Sequence, residues 1–466
     1  MRFLTTALIA GPLLALSFGS VTRAQERPLT ASETLARDIL RELIEIDTTN
    51  EHGSTTPAAE AVARRLQAAG IPAADITVLG PTPTKANVVA RLRGTGAKRA
   101  ILLLAHLDVV EARREDWTTD PFTFVEKDGY FYGRGTQDVK DGASILVANM
   151  IRLAQEHYRG ERDLILALTA DEEGGTANGV DWLVADHREL IDAEFCLNMD
   201  GGDFTSVNGK RISGSIQAAE KTYADFTLEV TNKGGHSSLP TSDNAIYHLA
   251  AGLTRLSTFA FPARLNEVTR GLFAKRAALE SGQLAADMKA VAAEPPSAEA
   301  VARLSADPYL NALLRTTCVA TLLSAGHAAN ALPQRAKANV NCRMLPDEKR
   351  DDVQATLVRV LNDPAITVTP DSPRDNQPSP LRPDVVSAVE QVTAAVYPGV
   401  VIIPTMETGA TDGRRLRAGG IPTYGVSGIF IDDGDDRQHG RDERLRARDF
   451  YDALGFNYRL VQALSR

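Results

Sequence analysis

The sequence predicts an α/β protein in which a main domain, with a mixed, largely parallel sheet flanked by helices, is interrupted by a smaller α+β domain carrying a helical insertion. Three observations support this fold class. Strand-like apolar runs alternate with helical patterns in both outer parts of the chain, as in α/β domains. The middle, residues 217–378, combines alternating strand-like segments with an Ala- and Leu-rich helical stretch, residues 263–325. The 466 residues are also enough for two or three domains.

The first residues, 1–24, are predicted to be a secretory signal peptide. Arg2 precedes an apolar run, Phe3–Phe18, and a stretch of small and polar residues ends at Ala24, where we expect cleavage. The apolar run is shorter than the roughly 20 residues that a membrane-spanning helix needs. We therefore expect an exported protein, periplasmic or extracellular, with no stable membrane anchor after cleavage.

The main domain is predicted to consist of residues 25–216 and 379–466, with a Pro-rich return linker at 371–383. Its first part holds short runs rich in β-forming residues, separated by segments with the apolar spacing of helices. The predicted strands are Asn87–Leu92, Ala100–Ala105, Asp163–Thr169 and Glu194–Met199, and the predicted helices include Ala143–Glu156 and Gly179–Asp186.

The inserted domain, residues 217–378, is predicted to have strands and helices of its own beside the helical stretch. Tyr223–Thr231 alternates apolar and polar residues like a half-buried strand, and Asp243–Ser257 has the spacing of a helix. Two more strands are predicted at Lys337–Arg343 and Ile366–Thr369, with the helix Asp352–Leu361 between them.

Charge and cysteine content exclude several function classes. With 51 basic and 60 acidic residues the formal net charge is -9, which argues against a nucleic-acid or anionic-membrane partner. Cys196, Cys318 and Cys342 are far apart, so no thiolate metal site is expected. An oxidising compartment would permit one disulfide. Cys196 lies in an apolar run and is expected to be a buried, inert thiol.

Acidic and imidazole side chains follow the predicted strands where the strands end. Because the carboxyl ends of parallel strands meet at one edge of a sheet, these side chains are expected to gather there. So many anions at one edge repel one another unless a cation compensates them. Carboxylates and imidazoles without thiolates suit catalytic zinc, with manganese or cobalt as substitutes. The residues are His106 and Asp108 after one strand, Glu172 and Glu173 after another, Asp200 after a third, and Asp138 after a glycine-rich turn.

A set of separated motifs, in a fixed order, resembles the M20 metallopeptidase family and covers nearly the whole chain after the signal segment. The long helical stretch within the inserted domain is most similar to the carboxypeptidase S and N-acyl-amino-acid hydrolase branch of that family. The motifs are AHLDVV (105–110), YGRGTQDVKDG (132–142), ADEEGG (170–175), NMDGG (198–202), GGHSS (234–238), NALPQRAKANVNCRMLP (330–346) and HGRDE (439–443).

The resemblance implies a zinc-peptidase-like main domain that holds two divalent metal ions. His106 and Asp200 would bind one ion, Glu173 and His439 the other, and Asp138 would bridge them. Zinc is the expected metal, with cobalt or manganese as possible replacements. The resemblance also implies a cis peptide after Asp138.

The resemblance further assigns roles around the metals. Glu172 would be the general base, and Asp108 would orient His106 through its second ring nitrogen. His236, in the inserted domain, would stabilise the tetrahedral oxyanion, from the same or a partner subunit. On the residues alone, a histidine in a Gly/Ser loop would be taken as simply exposed.

Substrate binding is expected to depend on the inserted domain, which would close over the metals as a lid. Arg343 resembles the family's arginine that binds a free carboxylate, and Asn330 would contact the substrate nearby. The alternative for Arg343 is a surface ion pair. Thr411-Asp412-Gly413 resembles a family loop near the site, although it could equally be an ordinary turn. Because lid domains of the family often dimerise, a homodimer is also possible.

These expectations describe an enzyme that hydrolyses an amide bond next to a free carboxylate. One form is a carboxypeptidase or dipeptidase acting on short peptides, and the other is a deacylase acting on N-acyl amino acids. A different class is a non-catalytic zinc- or peptide-binding module. The presence of Glu172 beside all five metal ligands argues for the enzyme.

Overall fold

The computed structural model describes residues 27–371 and 376–466, so the predicted signal peptide, 1–24, lies outside the described residues. Within that part of the chain, no helix is long and apolar enough to cross a membrane. The first part of the main domain contains α1 (Ala31–Ile44), α2 (Thr56–Ala68), β1 (Ile76–Leu79), β2 (Asn87–Leu92), β3 (Ile101–His106), β4 (Val125–Lys127), β5 (Tyr130–Tyr132), α3 (Lys140–Gln155), β6 (Leu164–Thr169), α4 (Gly179–Asp186), α5 (Arg188–Ile191), β7 (Phe195–Asn198), β8 (Phe204–Val207) and β9 (Lys210–Glu220).

The remaining elements belong to the predicted insertion and to the C-terminal part of the main domain. The insertion contains β10 (Thr222–Thr231), β11 (Gly235–His236), α6 (Ala245–Ser257), α7 (Glu267–Arg276), α8 (Gly282–Ala292), α9 (Ala298–Leu304), α10 (Pro308–Leu314), β12 (Thr317–Ala325), β13 (Ala331–Leu332), β14 (Arg335–Met344), α11 (Arg350–Leu361) and β15 (Ile366–Pro370). The C-terminal part contains α12 (Pro383–Val396), β16 (Val401–Glu407), α13 (Gly413–Ala418), β17 (Thr423–Gly425), β18 (Phe430–Asp432), β19 (Arg444–Arg446) and α14 (Ala447–Leu464).

The main sheet has ten strands in the order β1-β2-β6-β3-β7-β17-β9-β8-β18, and β16 pairs with β9. Its central strands β6, β3, β7 and β17 run parallel to one another, and every residue of β3 and β6 is buried. Such continuous apolar strands need helices on both faces. One face is covered by α1, α3, α12 and α14, and the other by α4, α5 and α13. The predicted fold class is confirmed.

The lid is a four-stranded antiparallel sheet in the order β12-β14-β10-β15, covered on one face by α6 and α11. On β10, Ala224, Phe226, Leu228 and Val230 are fully buried, whereas the alternate residues are not. This alternation is what a sheet with one covered face requires. The disulfide Cys318–Cys342 joins β12 to β14, and Cys196 is a buried free thiol.

The stretch predicted as helical, 263–325, contains two kinds of structure. Its last part, Thr317–Ala325, is the strand β12, so the helical prediction is wrong there. Pairing with β14 decides this segment, because tertiary contacts override weak local preference. Helices α7–α10 are present, but they pack on the main domain: Phe273 of α7 lies in the same core as Met406 of β16.

Candidate active site

Three ligand atoms converge at the carboxyl ends of the central strands. His106 is the last residue of β3, and its Nε2 atom lies 3.0 Å from Asp138 Oδ1 and 3.9 Å from Asp200 Oδ2. Asp200 follows β7, which is the parallel neighbour of β3. Asp138 stands just before α3 in the turn that the glycine-rich segment forms. The structure thus brings together the residues predicted for the first metal ion.

A second group shares Asp138 with the first. His439 Nε2 lies 3.1 Å from Asp138 Oδ2 and 3.0 Å from Glu173 Oε2. The two oxygens of Asp138 therefore face different imidazoles, which is the arrangement expected of a bridging carboxylate. The Oε1 atom of Glu173 is buried without a hydrogen-bond partner among the described residues. Both groups can hold a metal ion, and this donor set suits zinc, cobalt or manganese.

The charges of the site favour a bound cation. Burial alone would lower the pKa of His106, but Asp138, Asp200 and Asp108 together raise it well above the usual value. Hydrogen bonds with Asp138 and Glu173 raise the pKa of His439 to about 10. Burial raises the pKa of Asp200 well above its usual range. The cluster therefore binds positive charge, either as protons or as metal ions.

Of the residues predicted in the lid, His236 and Asn330 lie close together and Arg343 lies at the other end of the sheet; none makes a hydrogen bond or ion pair with a predicted metal ligand in the described part of the chain. Gly235-His236 pairs with Ala331-Leu332, and Asn330 O accepts the N–H of Ser237. His236 and Asn330 are exposed. Arg343 lies near the end of β14 and is half-buried. Its guanidinium carbon is 4.8 Å from the centre of the Tyr223 ring.

Comparison with known proteins identifies the family to which the chain belongs. A family model described as peptidase family M20/M25/M40 matches residues 102–463. The chain belongs to this family. It is therefore an M20-type metallopeptidase or amidohydrolase, which confirms the resemblance seen in its motifs.

Individual M20 relatives lie at moderate identity. The chain is 29% identical over 377 residues to the probable carboxypeptidase S-like 2 of Dictyostelium discoideum, covering 78% of this chain and 71% of that protein. It is 28% identical over 375 residues to the N-fatty-acyl-amino acid synthase/hydrolase PM20D1 of Homo sapiens, covering 78% and 73%. The predicted branch of the family is thus represented among its relatives.

Solved structures agree with the fold. The M20 family metallo-carboxypeptidase Sso-CP2 from Sulfolobus solfataricus has a TM-score of 0.68 at 18% identity, covering 92% of this chain and 99% of that one. The Bacillus subtilis YXEP protein, described as a dinuclear metal binding peptidase from the M20 family, has a TM-score of 0.57 at 15% identity, covering 93% and 98%. These likenesses show that the chain has the M20 fold.

The M20 motif around Asp108 makes contacts that differ from those predicted. His106 Nδ1 lies 3.0 Å from the Asp108 backbone carbonyl but 3.7 Å from its carboxylate. The carboxylate instead accepts the N–H groups of Glu172 and Glu173 at 3.1 and 3.0 Å. Asp108 thus orients the imidazole through its carbonyl, while its side chain holds the turn that carries the predicted base and a ligand.

A buried ion pair supports the same turn from the other side. Lys85 Nζ lies 2.6 Å from Asp171 Oδ1, and both side chains are largely excluded from solvent. Asp171 has a left-handed backbone with φ of 57°, which is uncommon outside glycine. Sequence reasoning missed this pair because Lys85 lies in a loop far from Asp171 in the chain.

Glu443 is a second residue that sequence reasoning missed, although it lies within the motif HGRDE. Its fully buried carboxylate accepts the N–H groups of Gly135, Gln137 and Asp138 at 3.1, 2.7 and 3.3 Å. It also pairs with Arg134 Nη1 at 2.6 Å. Glu443 therefore fastens the loop that carries His439 to the loop that carries Asp138. The peptide Asp138–Val139 is cis, as the M20 resemblance implied.

Proposed function

We propose that this M20 chain hydrolyses an amide bond adjacent to a free carboxylate, acting as a carboxypeptidase or dipeptidase on short peptides. The observation that carries this proposal is the pair of three-residue ligand groups sharing Asp138. The carboxyl of Glu172 interacts electrostatically with Asp200, His106 and Glu173 of these groups. Two metal ions held there would lower the pKa of an attacking water and polarise the carbonyl of the substrate. Zinc is the metal we propose, because the donors are imidazoles and carboxylates without thiolates.

Glu172 is the general base in the proposed mechanism. Burial, and the negative charge of Asp200, raise the pKa of its carboxyl well above the usual range. Glu172 directly precedes the predicted ligand Glu173, so its carboxylate would lie beside a metal-held water and accept its proton. It would then pass that proton to the nitrogen atom of the leaving amine.

The lid supplies the remaining groups of the proposed mechanism. His236 would donate a hydrogen bond to the tetrahedral oxyanion; its Nδ1 atom lies 2.7 Å from Ser238 Oγ and 3.1 Å from the Ser238 nitrogen. Acceptance of the Ser238 N–H at Nδ1 leaves Nε2 to carry the ring proton, and this N–H would be the donor to the oxyanion. Arg343 would bind the free carboxylate through two hydrogen bonds, and Asn330 would contact the substrate beside it.

A second candidate function is deacylation of N-acyl amino acids. The observation that favours it is the identity to the N-fatty-acyl-amino acid synthase/hydrolase of several vertebrates. Both activities cut an amide next to a carboxylate and need the same metal site. They differ only in the group on the carbonyl side of the bond.

Three variants and a substrate panel test the enzyme. We expect zinc-loaded wild-type protein to cleave dipeptides or N-acyl amino acids, and Glu172→Gln to lower kcat by about 10²- to 10⁴-fold while leaving bound zinc unchanged. Glu161→Gln is the matched control, because Glu161 is a half-exposed carboxylate remote from the metal ligands. Arg343→Ala should raise KM for free acids but not for the corresponding amides.

The outcomes separate the candidate functions. Cleavage restricted to dipeptides supports the peptidase, and cleavage restricted to N-acyl amino acids supports the deacylase. If zinc-loaded protein cleaves neither and Glu172→Gln changes nothing, the chain is a non-catalytic zinc- or peptide-binding module.

We also propose that the protein is exported, to the periplasm or the extracellular space. The disulfide Cys318–Cys342 supports this location, since disulfides persist in oxidising compartments. Mass spectrometry of protein isolated from the cell envelope and the culture medium tests both points. A mature N-terminus at Gln25 is expected, and a cytoplasmic chain that starts at Met1 would contradict export.

A homodimer through the lid is the assembly we propose. Strand β12 is an edge strand of the lid sheet, and among the described strands it pairs only with β14. Leu322 and Leu323 on this strand are 70% and 68% exposed, and such an edge readily pairs with a second chain. We expect a dimer in light scattering and a monomer for Leu322→Lys; a wild-type monomer would contradict the proposal.

A further inference from the structure

We propose that Glu220 is a positioning residue of the metal centre, which holds the predicted ligand Asp200 in place through Thr411 and Asn198. The inference rests on the proposed function, because it assigns a support to the metal centre proposed there. The term Asp200 support refers below to the side chains of Glu220, Thr411 and Asn198.

The backbone of Glu220 is held where the chain crosses between the two domains. Glu220 is the last residue of β9, and Asn376 Nδ2, in the segment that returns from the lid, donates to Glu220 O at 2.7 Å. The next residue, Lys221, donates its backbone N–H to Glu407 O at 2.9 Å. The carboxylate of Glu220 therefore extends from a backbone that two other segments restrain.

The carboxylate of Glu220 is fully buried and is held by three neighbouring side chains and one backbone N–H. Thr411 N and Thr411 Oγ1 both donate to it at 2.9 Å, and Gln217 Nε2 donates to it at 2.9 Å. Arg417 Nη2 forms an ion pair with it at 2.5 Å. Because a carboxylate only accepts hydrogen bonds, the Thr411 hydroxyl must donate to Glu220, which leaves its lone pairs for other donors.

The hydroxyl of Thr411 in turn fixes the amide of Asn198. Asn198 Nδ2 donates to Thr411 Oγ1 at 3.2 Å and to Asp200 O at 2.9 Å, while Asn198 Oδ1 accepts the Asp200 N–H at 3.2 Å. The reversed amide would point its NH₂ group at the Asp200 N–H and its oxygen at the Asp200 carbonyl. The amide therefore has one orientation, and in it Asn198 holds Asp200 at both its nitrogen and its oxygen.

The carboxylate of Asp200 depends on this backbone support. Its Oδ2 atom lies 3.9 Å from His106 Nε2, which is too far for a hydrogen bond, so the imidazole does not fix it. Contacts that orient a metal ligand typically change metal affinity about 10- to 100-fold when they are lost. We therefore expect the Asp200 support to contribute to metal affinity at the first ligand group.

A substitution at Thr411 interrupts the Asp200 support at its middle. Thr411→Val keeps the shape of the side chain and removes the hydroxyl that joins Glu220 to Asn198, while the ion pair of Glu220 remains. Thr411→Ser keeps the hydroxyl and is the conservative variant. Thr393→Val is the matched control, because Thr393 is also buried and its hydroxyl has no hydrogen-bond partner among the described residues.

Zinc affinity is measured for each ligand group separately, by competition with a chromogenic chelator. The His439→Ala background keeps the first group, which consists of His106, Asp138 and Asp200. The Asp200→Asn background keeps the second group, in which Asp138 is joined by Glu173 and His439. Thermal melting without metal is recorded for every protein, so that a loss of zinc affinity can be compared with any loss of stability.

We expect Thr411→Val to weaken zinc binding about 10-fold in the His439→Ala background, the lower end of the range for supporting contacts. Thr411→Ser and Thr393→Val should stay within about twofold of their parent there. In the Asp200→Asn background all three variants should stay within about twofold. Equal affinity of Thr411→Val and its parent at the first group, or equal losses at both groups, overturns the inference.

Glu220→Gln tests whether Glu220 acts through Thr411. An amide has one oxygen for the two donors of Thr411, so this variant should also weaken zinc binding at the first group. Combined with Thr411→Val, its effect should be smaller than the sum of the two single effects; additive effects contradict the inference. Thr411→Val decides by itself if Glu220→Gln does not fold. A wild type without zinc affinity overturns the proposed function and this inference together, whereas a zinc-binding wild type without turnover contradicts the proposed function alone.

Discussion

Loss of the Glu443 carboxylate is expected to weaken both the main domain and its metal site. The side chains of Glu443 and Arg134 are 0% and 3% exposed and lie 2.6 Å apart. Removal of one partner from a buried ion pair leaves an uncompensated charge, which costs about 3–5 kcal/mol. At about 2–4 °C per kcal/mol for a domain of this size, Glu443→Gln should melt about 10 °C below the wild type.

A variant series separates the parts of this effect. Glu443→Gln keeps an oxygen that can accept the N–H groups of the bridging-ligand loop, whereas Glu443→Leu removes that acceptor as well. We therefore expect Glu443→Leu to be less stable than Glu443→Gln. Glu161→Gln should melt within about 4 °C of the wild type, because the pair of Glu161 with Lys98 is half-exposed and such pairs contribute less than about 1 kcal/mol.

Zinc affinity is the second measurement on the same proteins. The Glu443 carboxylate holds the backbone on both sides of the peptide that leads to Asp138, so its loss should misplace the bridging oxygens. Loss of such supporting contacts typically lowers metal affinity about 10- to 100-fold. Thermal melting in the presence of a chelator measures the stability of each protein without metal. Competition with a chromogenic zinc chelator measures its zinc affinity. If Glu443→Gln melts with the wild type and binds zinc equally well, the reasoning is refuted.

Three further predictions concern the lid, the hinge and the metals. Reduction of Cys318–Cys342, which closes a loop with a sequence separation of 24, should destabilise the lid to urea by about 3 kcal/mol, and a Cys318→Ser/Cys342→Ser variant should not respond to reductant. Burial lowers the pKa of Lys221 to about 7, so between about pH 7 and 10 the unfolded chain binds the extra proton. The free energy of unfolding of the wild type, minus that of Lys221→Met, should therefore rise with pH in this range; a flat or falling difference in urea titrations would contradict it. Zinc at about 100 times its Kd should add about 2.7 kcal/mol of stability, and Asp138→Asn should lose most of this gain; an equal gain would exclude a bridging role.

The positions of the predicted metal ligands at the strand ends could be predicted because they follow from a short local pattern. A buried strand such as β3 is a run of apolar residues, and its carboxyl end is where the first polar residue, His106, appears. His439 has no such signal. It has a left-handed backbone with φ of 59° in an irregular loop, and only the family resemblance indicated it.

The sequence patterns could not predict contacts between residues that are distant in the chain. The helical spacing of α7 shows that one face is buried, but it does not say whether that face meets the lid or the main domain. The same holds for Cys318 and Cys342, whose pairing depends on the register between β12 and β14. Glu443 and Arg134 are separated by 309 residues, so neither looks like a buried ion pair in the sequence.

The hinge between the domains is held together by hydrogen bonds of Lys221 and Arg315. Lys221 Nζ donates to Ala312 O and Arg315 O at 2.9 and 2.7 Å, and Arg315 Nη1 donates to Phe261 O at 2.9 Å. These contacts tie together three segments that pass between the lid and the main domain. Because α7–α10 pack on the core of the main domain, the joint would stay with that domain in the proposed rotation of the lid.

The two proposed lid residues lie at different distances from this joint. Arg343 pairs directly with Tyr223 and Thr317, the residues next to the joint, whereas His236 follows the far end of β10. The ten residues of β10 span about 30 Å, so a given rotation moves His236 much further than Arg343. In the proposed closure Arg343 would therefore move little, and a carboxylate could bind to it before the lid closes. The role that we propose for His236 would require the lid to move first, so the same rotation that expels water would also complete the proposed active site.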